Sequence, residues 1–183
     1  MIQKSIVEYC SPTLAGIKTG SLFSVRKNIK DVADEIRMLN KKLVGKGIRI
    51  IPIEKNQNNT LVYVYRPNRL KKDLYDPEAS CILKEKGYVF DNCDLCLKML
   101  INHLKSDSDF PHEIGLFLGY PPSDVKCFMK NPCDGVKCIG CWKAYSNCEE
   151  TKKIFAQYQK CKEAYSRAIE NGVEMEALVV KTG

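Results

Sequence analysis

The sequence predicts an α+β fold: a single domain over residues 1–183, with a roughly four-stranded, mainly antiparallel sheet covered by several helices. Three observations predict it. Residues 47–54 and 60–66 are two strand-like runs separated by the polar turn KNQNN, the pattern of a hairpin. Residues 28–43 and 149–171 repeat apolar side chains at three- and four-residue spacing, the period of a helix with one buried face. The 183 residues, 44% of them hydrophobic, hold no internal repeat and no linker long enough to divide domains, so helices and strands must share one body.

The elements follow in order. In CSPTLAG, Pro12 suits a first helical turn, with Cys10 or Ser11 as its cap. Residues 21–26 read as a short strand. Asn28 opens a helix whose stripe is Ile29, Val32, Ala33, Ile36, Leu39 and Leu43, and Gly45 and Gly47 end it. The hairpin follows and Pro67 closes it. Residues 69–75 and 77–86 form short helices, and residues 91–104 a longer one with Cys93, Cys96, Leu97, Leu100, Ile101 and Leu104 at helical spacing. The segment FPHEIGLFLGYPPSDVKCFMKN makes two short helices broken at residues 119–122, with Ser123 capping the second. Residues 136–145 are the last strand. Residues 149–171 form a long helix with Ile154, Phe155, Tyr158, Cys161, Tyr165 and Ile169 on one side. Tyr63, Tyr65, Tyr120 and Tyr145 look exposed and fit either a dimer interface or sheet packing.

Charge and composition narrow the function. The net charge is +7, with +9 on residues 1–75 and −2 on the remainder. The basic residues are dispersed, several on polar helix faces, and no aromatic-interleaved RNA motif or zinc finger accompanies them. A small anionic ligand is therefore expected ahead of nucleic acid. No apolar run approaches the ~20 residues that span a bilayer, and no apolar signal core opens the chain, so the expectation is a cytoplasmic protein with no membrane partner.

Eight of the ten cysteines fall into three groups. Cys93, Cys96 and Cys161 lie on apolar helical stripes, where cysteine packs as a small hydrophobe. Cys133, Cys138, Cys141 and Cys148 are four thiols in sixteen residues and a candidate zinc site, with Gly140 permitting a tight knuckle turn. The run from Cys133 also matches an iron–sulfur spacing, which needs a further ligand. A strand over residues 136–145 would point Cys138 and Cys141 to opposite faces and work against both metals. Cys10 precedes the expected helix start, where the macrodipole favours a thiolate, and Lys18 adds positive charge nearby.

His103 stands near the end of a helix and reads as solvated. His112, followed by Glu113, has the chemistry of a general base or a metal ligand, and equally that of a helix-start residue. The chain here resembles the bacterial family known as domain of unknown function 3793. The resemblance is carried by CSPTLAGIK at 10–18, SLF at 21–23, LVYVYRP at 61–67 and FPHEIGLFLGYP at 110–121. It continues in SDV at 123–125, WKAY at 142–145 and Phe155, Tyr158, Lys160 and Cys161. It implies a small cytoplasmic protein with no established activity. It draws attention to Cys10, Lys18, Arg66, His112, Glu113, Tyr120, Trp142 and Lys143, and it requires neither the Cys93/Cys96 pair nor the Cys133–Cys148 cluster.

Three function classes stay open, in this order. The first is a binding or regulatory protein that takes a small anionic or metal-containing ligand in a pocket near Cys10 and His112, with Lys18, Arg66, Tyr120, Trp142 and Lys143 as ligand contacts. The second is a thiol enzyme for acyl or thiol transfer, with Cys10 as nucleophile, His112 as base and Glu113 as orienting group. The third is a thiolate zinc or iron–sulfur protein built on Cys133, Cys138, Cys141 and Cys148.

Overall fold

Strand alternation in residues 59–65 puts Thr60, Val62 and Val64 on one face and Leu61, Tyr63 and Tyr65 on the other, so both faces are largely apolar. Such a strand belongs in the middle of a sheet covered on both sides. The computed structural model, which describes residues 2–89, 92–106 and 109–181, has it there. The strand β3 (Asn59–Tyr65) lies between β1 (Gly20–Val25) and β2 (Arg49–Asn56), antiparallel to each. Leu22 and Ile51 both stand opposite Tyr63, and Phe23 and Pro52 both stand opposite Val62.

One face of the sheet is closed by α1 (Ile2–Leu14) and α2 (Ile29–Leu43). Ile6, Val7, Cys10 and Leu14 pack with Val32, Ile36, Leu39 and Leu43 onto Phe23, Ile50, Val62 and Val64. The stripe predicted for α2 is the one buried, and Asn28 caps the helix by accepting the Asp31 amide at 3.0 Å. A 23-residue helix near the C-terminus, α8 (Cys148–Glu170), packs along α1 and brings Tyr165 and Ile169 to the same cluster.

The other face carries α3 (Pro67–Leu74), α4 (Pro77–Glu85), α5 (Cys93–Lys105) and α6 (Ile114–Phe117). Leu70, Leu74, Leu83, Leu97, Leu100 and Phe117 surround Tyr63 and Tyr65. These two tyrosines are buried and stacked, with ring centroids 4.9 Å apart, and Tyr63 donates to the Phe117 carbonyl at 2.7 Å. They are core residues of the sheet, not surface aromatics. Beyond α6 come α7 (Pro122–Lys130) and a small antiparallel ribbon, β4 (Cys138–Ile139) with β5 (Lys143–Ala144).

The architecture is α+β as expected, and three details differ, while a fourth falls on a residue that is not described. The expected helix start at residues 10–12 lies at the end of α1. Ile2, Ile6, Val7, Cys10 and Leu14 already form a helical stripe, and Pro12 removes only one amide donor close to the terminus. The expected last strand over residues 136–145 is instead two short strands around a turn, and they form a ribbon of their own, separate from the three-stranded sheet. The cap of α7 is Pro121, and no side chain, Ser123 included, caps it. The expected start of α5 at Asp91 lies outside the described residues, and Asn92 caps the helix by accepting the Leu95 amide at 2.7 Å. Among the described residues no helix is long and apolar enough to cross a membrane.

Candidate functional site

A carboxylate enclosed by protein must be hydrogen-bonded, so Asp124 organises what surrounds it. It sits in the first turn of α7 at 1% exposure. Its Oδ1 accepts the amides of Tyr145 (2.9 Å) and Ser146 (3.3 Å) and the Ser146 hydroxyl (3.1 Å), while Oδ2 accepts Trp142 Nε1 at 2.9 Å. One side chain thus fastens the β4–β5 ribbon to α7 and sets the direction of the indole.

Held in this way, Trp142 stacks on Tyr120 (centroids 4.9 Å apart, 26° between planes) and meets Phe155 of α8 edge-on at 4.6 Å. The turn allows this approach because residue 140 is glycine: a Cβ there would lie 2.3 Å from the Phe155 ring. Tyr120 is placed by Gly119, which turns the chain at φ 80° and has Thr19 packed where a side chain would go. The Tyr120 hydroxyl donates to the Cys141 carbonyl at 3.1 Å, and burial pushes its ionisation well up.

Between α6, α7 and the ribbon lies a groove of about 450 Å³. Its walls include five rings, Phe110, His112, Tyr120, Phe128 and Trp142. His112 meets Phe128 edge-on at 5.1 Å, and Lys143 Nζ sits 5.8 Å from the same ring. One Lys143 N–H is committed to the Pro132 carbonyl at 2.8 Å, which leaves donors for an anion in the groove. The volume and ring content suit a small molecule with a flat apolar body.

The eight attention-drawing residues divide. His112, Tyr120, Trp142 and Lys143 meet at the groove. Lys18 stands next to it, its Nζ 5.3 Å from the Tyr120 ring centroid and 5.9 Å from that of Tyr158, in an adjoining cleft of about 230 Å³ shared with Arg69 and Asp73. Burial pulls the Lys18 ammonium below its ordinary value, opposed by Cys141 and Cys10.

Cys10, Arg66 and Glu113 are elsewhere. Cys10 is fully buried on α1, and burial pushes its thiol up to about 12, with Lys18 and a bond to Ser21 opposing. That is the reverse of an activated nucleophile. Cys10 belongs to the cluster under α1 and α2, whereas His112 leads into the segment packed on the opposite sheet face, so the geometry does not assemble the expected Cys10–His112 pair. Arg66, at 1% exposure, closes the C-terminal end of α1: Nε donates to Thr13 O (2.7 Å), and Nη2 donates to Leu14 O (2.6 Å) and Val180 O (2.8 Å). Its position answers the helix macrodipole rather than a ligand. Glu113 turns away from His112 and accepts the Tyr88 hydroxyl at 2.9 Å, with His103 Nδ1 at 3.4 Å. The histidine beside the carboxylate is His103, read from sequence as solvated.

The four-cysteine cluster is not assembled as a metal site. Cys138 and Cys148 lie against each other's segments, Cys141 lies at the ribbon turn near Lys18 and Tyr120, and Cys133 is exposed near Tyr145. Among the described residues no three His, Cys, Asp or Glu side chains converge as metal ligands. The donors present therefore do not fit the tetrahedral zinc or iron–sulfur site that the spacing suggested.

Sequence reasoning missed Asp124 and Phe128. An acidic residue in a first helical turn is ordinary dipole compensation, which conceals its longer-range role. Phe128 has only its place in a short helix. A family model described as "Protein of unknown function (DUF3793)" matches residues 6–179. No curated protein and no solved structure matches the chain.

Proposed function

The chain belongs to the DUF3793 family of proteins of unknown function, and for this member we propose a binding protein whose groove takes a small molecule with a flat apolar body and an anionic group. One observation carries the reading: segments 110–128 and 139–143 deliver five rings, Phe110, His112, Tyr120, Phe128 and Trp142, and the Lys143 ammonium to one groove of about 450 Å³. The rings supply stacking and apolar area for the body of the ligand. Lys143 and the exposed His112 supply the anion contact at the mouth. Asp124 has all its partners within the protein and acts by positioning Trp142. We place the protein in the cytoplasm, where its ten thiols stay reduced.

The test uses 1-anilinonaphthalene-8-sulfonate, a flat apolar anion, titrated into the folded protein while Trp142, the one tryptophan, is excited. The reading expects one saturable site with energy transfer from Trp142. It expects Lys143→Ala and Phe128→Ala each to weaken binding about ten-fold, the loss of one charge-assisted bond or one ring contact. Unsaturable binding, or equal affinity in both variants, defeats it.

A further inference from the structure

We infer that Cys138 and Cys148 form a reversible dithiol switch, closed by exchange with a low-molecular-weight disulfide, that fastens the β4–β5 ribbon to the first turn of α8. The chain path brings them together. Cys138 pairs with Ala144 across the ribbon, and the chain then turns through Asn147, whose side chain accepts the Glu150 amide at 3.2 Å and starts α8 at Cys148. Each sulfur consequently lies against the other's segment: Cys138 Sγ is 3.9 Å from the Cys148 carbonyl, and Cys148 Sγ is 3.6 Å from the carbonyl of Lys137, the residue before Cys138. A cross-link needs Cβ atoms about 4 Å apart, and these contacts hold the two segments against each other.

Access separates this pair from the remaining C-x-x-C. Cys138 and Cys148 are half-buried, within reach of a small oxidant, whereas Cys96 is buried at 1% exposure behind Cys93. The order of events follows from access: the contact of Cys148 Sγ is exposed and that of Cys138 Sγ part-buried, so the Cys148 thiolate is the one that meets the external disulfide first. That thiolate attacks one sulfur of the external disulfide, the external S–S bond breaks, and one external thiol leaves with a proton. Cys138 then loses its proton, attacks the Cys148 sulfur of the mixed disulfide and expels the second external thiol. Two protein thiols are oxidised by two electrons, and one external disulfide is reduced to two thiols.

The ribbon carries Ile139, Gly140, Trp142 and Lys143 of the groove, so the cross-link fixes one wall of it. That consequence rests on the binding reading above; the cross-link itself does not.

The experiment equilibrates the full chain with glutathione disulfide, blocks remaining thiols with iodoacetamide and maps the peptides by mass. The expected result is the loss of two of the ten titratable thiols to a single Cys138–Cys148 link, reversed by dithiothreitol. Cys138→Ser should instead trap a glutathione adduct on Cys148 with an unchanged circular dichroism spectrum. Stable glutathione adducts on both wild-type cysteines, or a link from either to Cys133 or Cys141, overturn the proposal, and wild-type mapping decides this even if the variant misfolds. Anilinonaphthalene sulfonate affinity, compared between reduced and oxidised protein, should change at least two-fold. A cross-linked protein with unchanged affinity ends the claim of a switch, and failure of the probe to bind either form ends the binding reading alone.

Discussion

Among the described residues, Arg66 and Asp124 are the two charged side chains buried at 1% exposure, and each ties together segments far apart in sequence. Arg66 donates to carbonyls at the end of α1 and of the C-terminal tail, and the groups it meets there are backbone. Asp124 accepts from residues 142, 145 and 146, and the group it orients, the Trp142 indole, faces an open groove. Burial and charge alone therefore do not separate a structural residue from one that builds a site. What separates them is the next group out: backbone for Arg66, a ring at the wall of a groove for Asp124.

Breaking each bracket tests that distinction. Arg66→Met should have the largest effect, leaving at least three carbonyls near the end of α1 without donors and lowering stability by about 3–5 kcal/mol in urea unfolding. Its surviving folded fraction should keep the Trp142 emission of the wild type. Asp124→Ala should cost about 2–4 kcal/mol, since four donors lose one acceptor pair, and most of those donors lie near solvent. Here the emission should shift to the red even in fully folded protein. A red shift in Arg66→Met, or none in Asp124→Ala, would erase the difference between the two.

Much of this was legible in the sequence, for physical reasons that differ by residue. The α2 stripe and its Asn28 cap are local, set by spacing and by one side chain over three residues. The hairpin is local too. Four residues of the groove, His112, Tyr120, Trp142 and Lys143, stood out in the family's recurring strings. What could not be read is long-range. Arg66 attracted notice as a cation, but its acceptors lie 52, 53 and 114 residues away. Glu113 looked like the partner of the adjacent His112, although neighbours on a tight turn diverge, and it bonds Tyr88 25 residues back. Pro12 misled by its type: proline starts helices more often than it sits in their last turn, and misplacing the terminus made a core thiol look activated.

Cys10 sharpens the contrast on the closed side. Its folded value is raised, so between an ordinary value near 9 and about 12 the unfolded chain releases a proton that the folded chain keeps. Stability contributed by the neutral thiol is complete below that window and lost as pH rises through it, at about 1.4 kcal/mol per pH unit for this one group. Cys10→Ala should flatten the alkaline decline by that slope in paired urea titrations, after a constant offset for the lost sulfur. An identical decline in wild type and variant would mean that water reaches the thiol.

The smallest effect on stability should come from the open side. Lys143 is half-buried, and its ammonium donates to an exposed loop carbonyl, that of Pro132; among the described residues, removing it strands no buried acceptor. Lys143→Met keeps the aliphatic stem near Phe128 and should change stability by less than about 0.5 kcal/mol, the range of surface substitutions without a buried partner. The same change should weaken binding of the anionic probe while leaving an uncharged analogue of equal size unaffected, because only the anion contact has gone. If Lys143→Met instead destabilised the fold by as much as Asp124→Ala, Lys143 would belong with Arg66, as part of the framework rather than of the site. If both probes weakened together, the lysine would act by shaping the groove, and the anion preference would have to come from His112. Measuring charged and uncharged probes on one variant therefore separates a residue that meets the ligand from one that supports the wall.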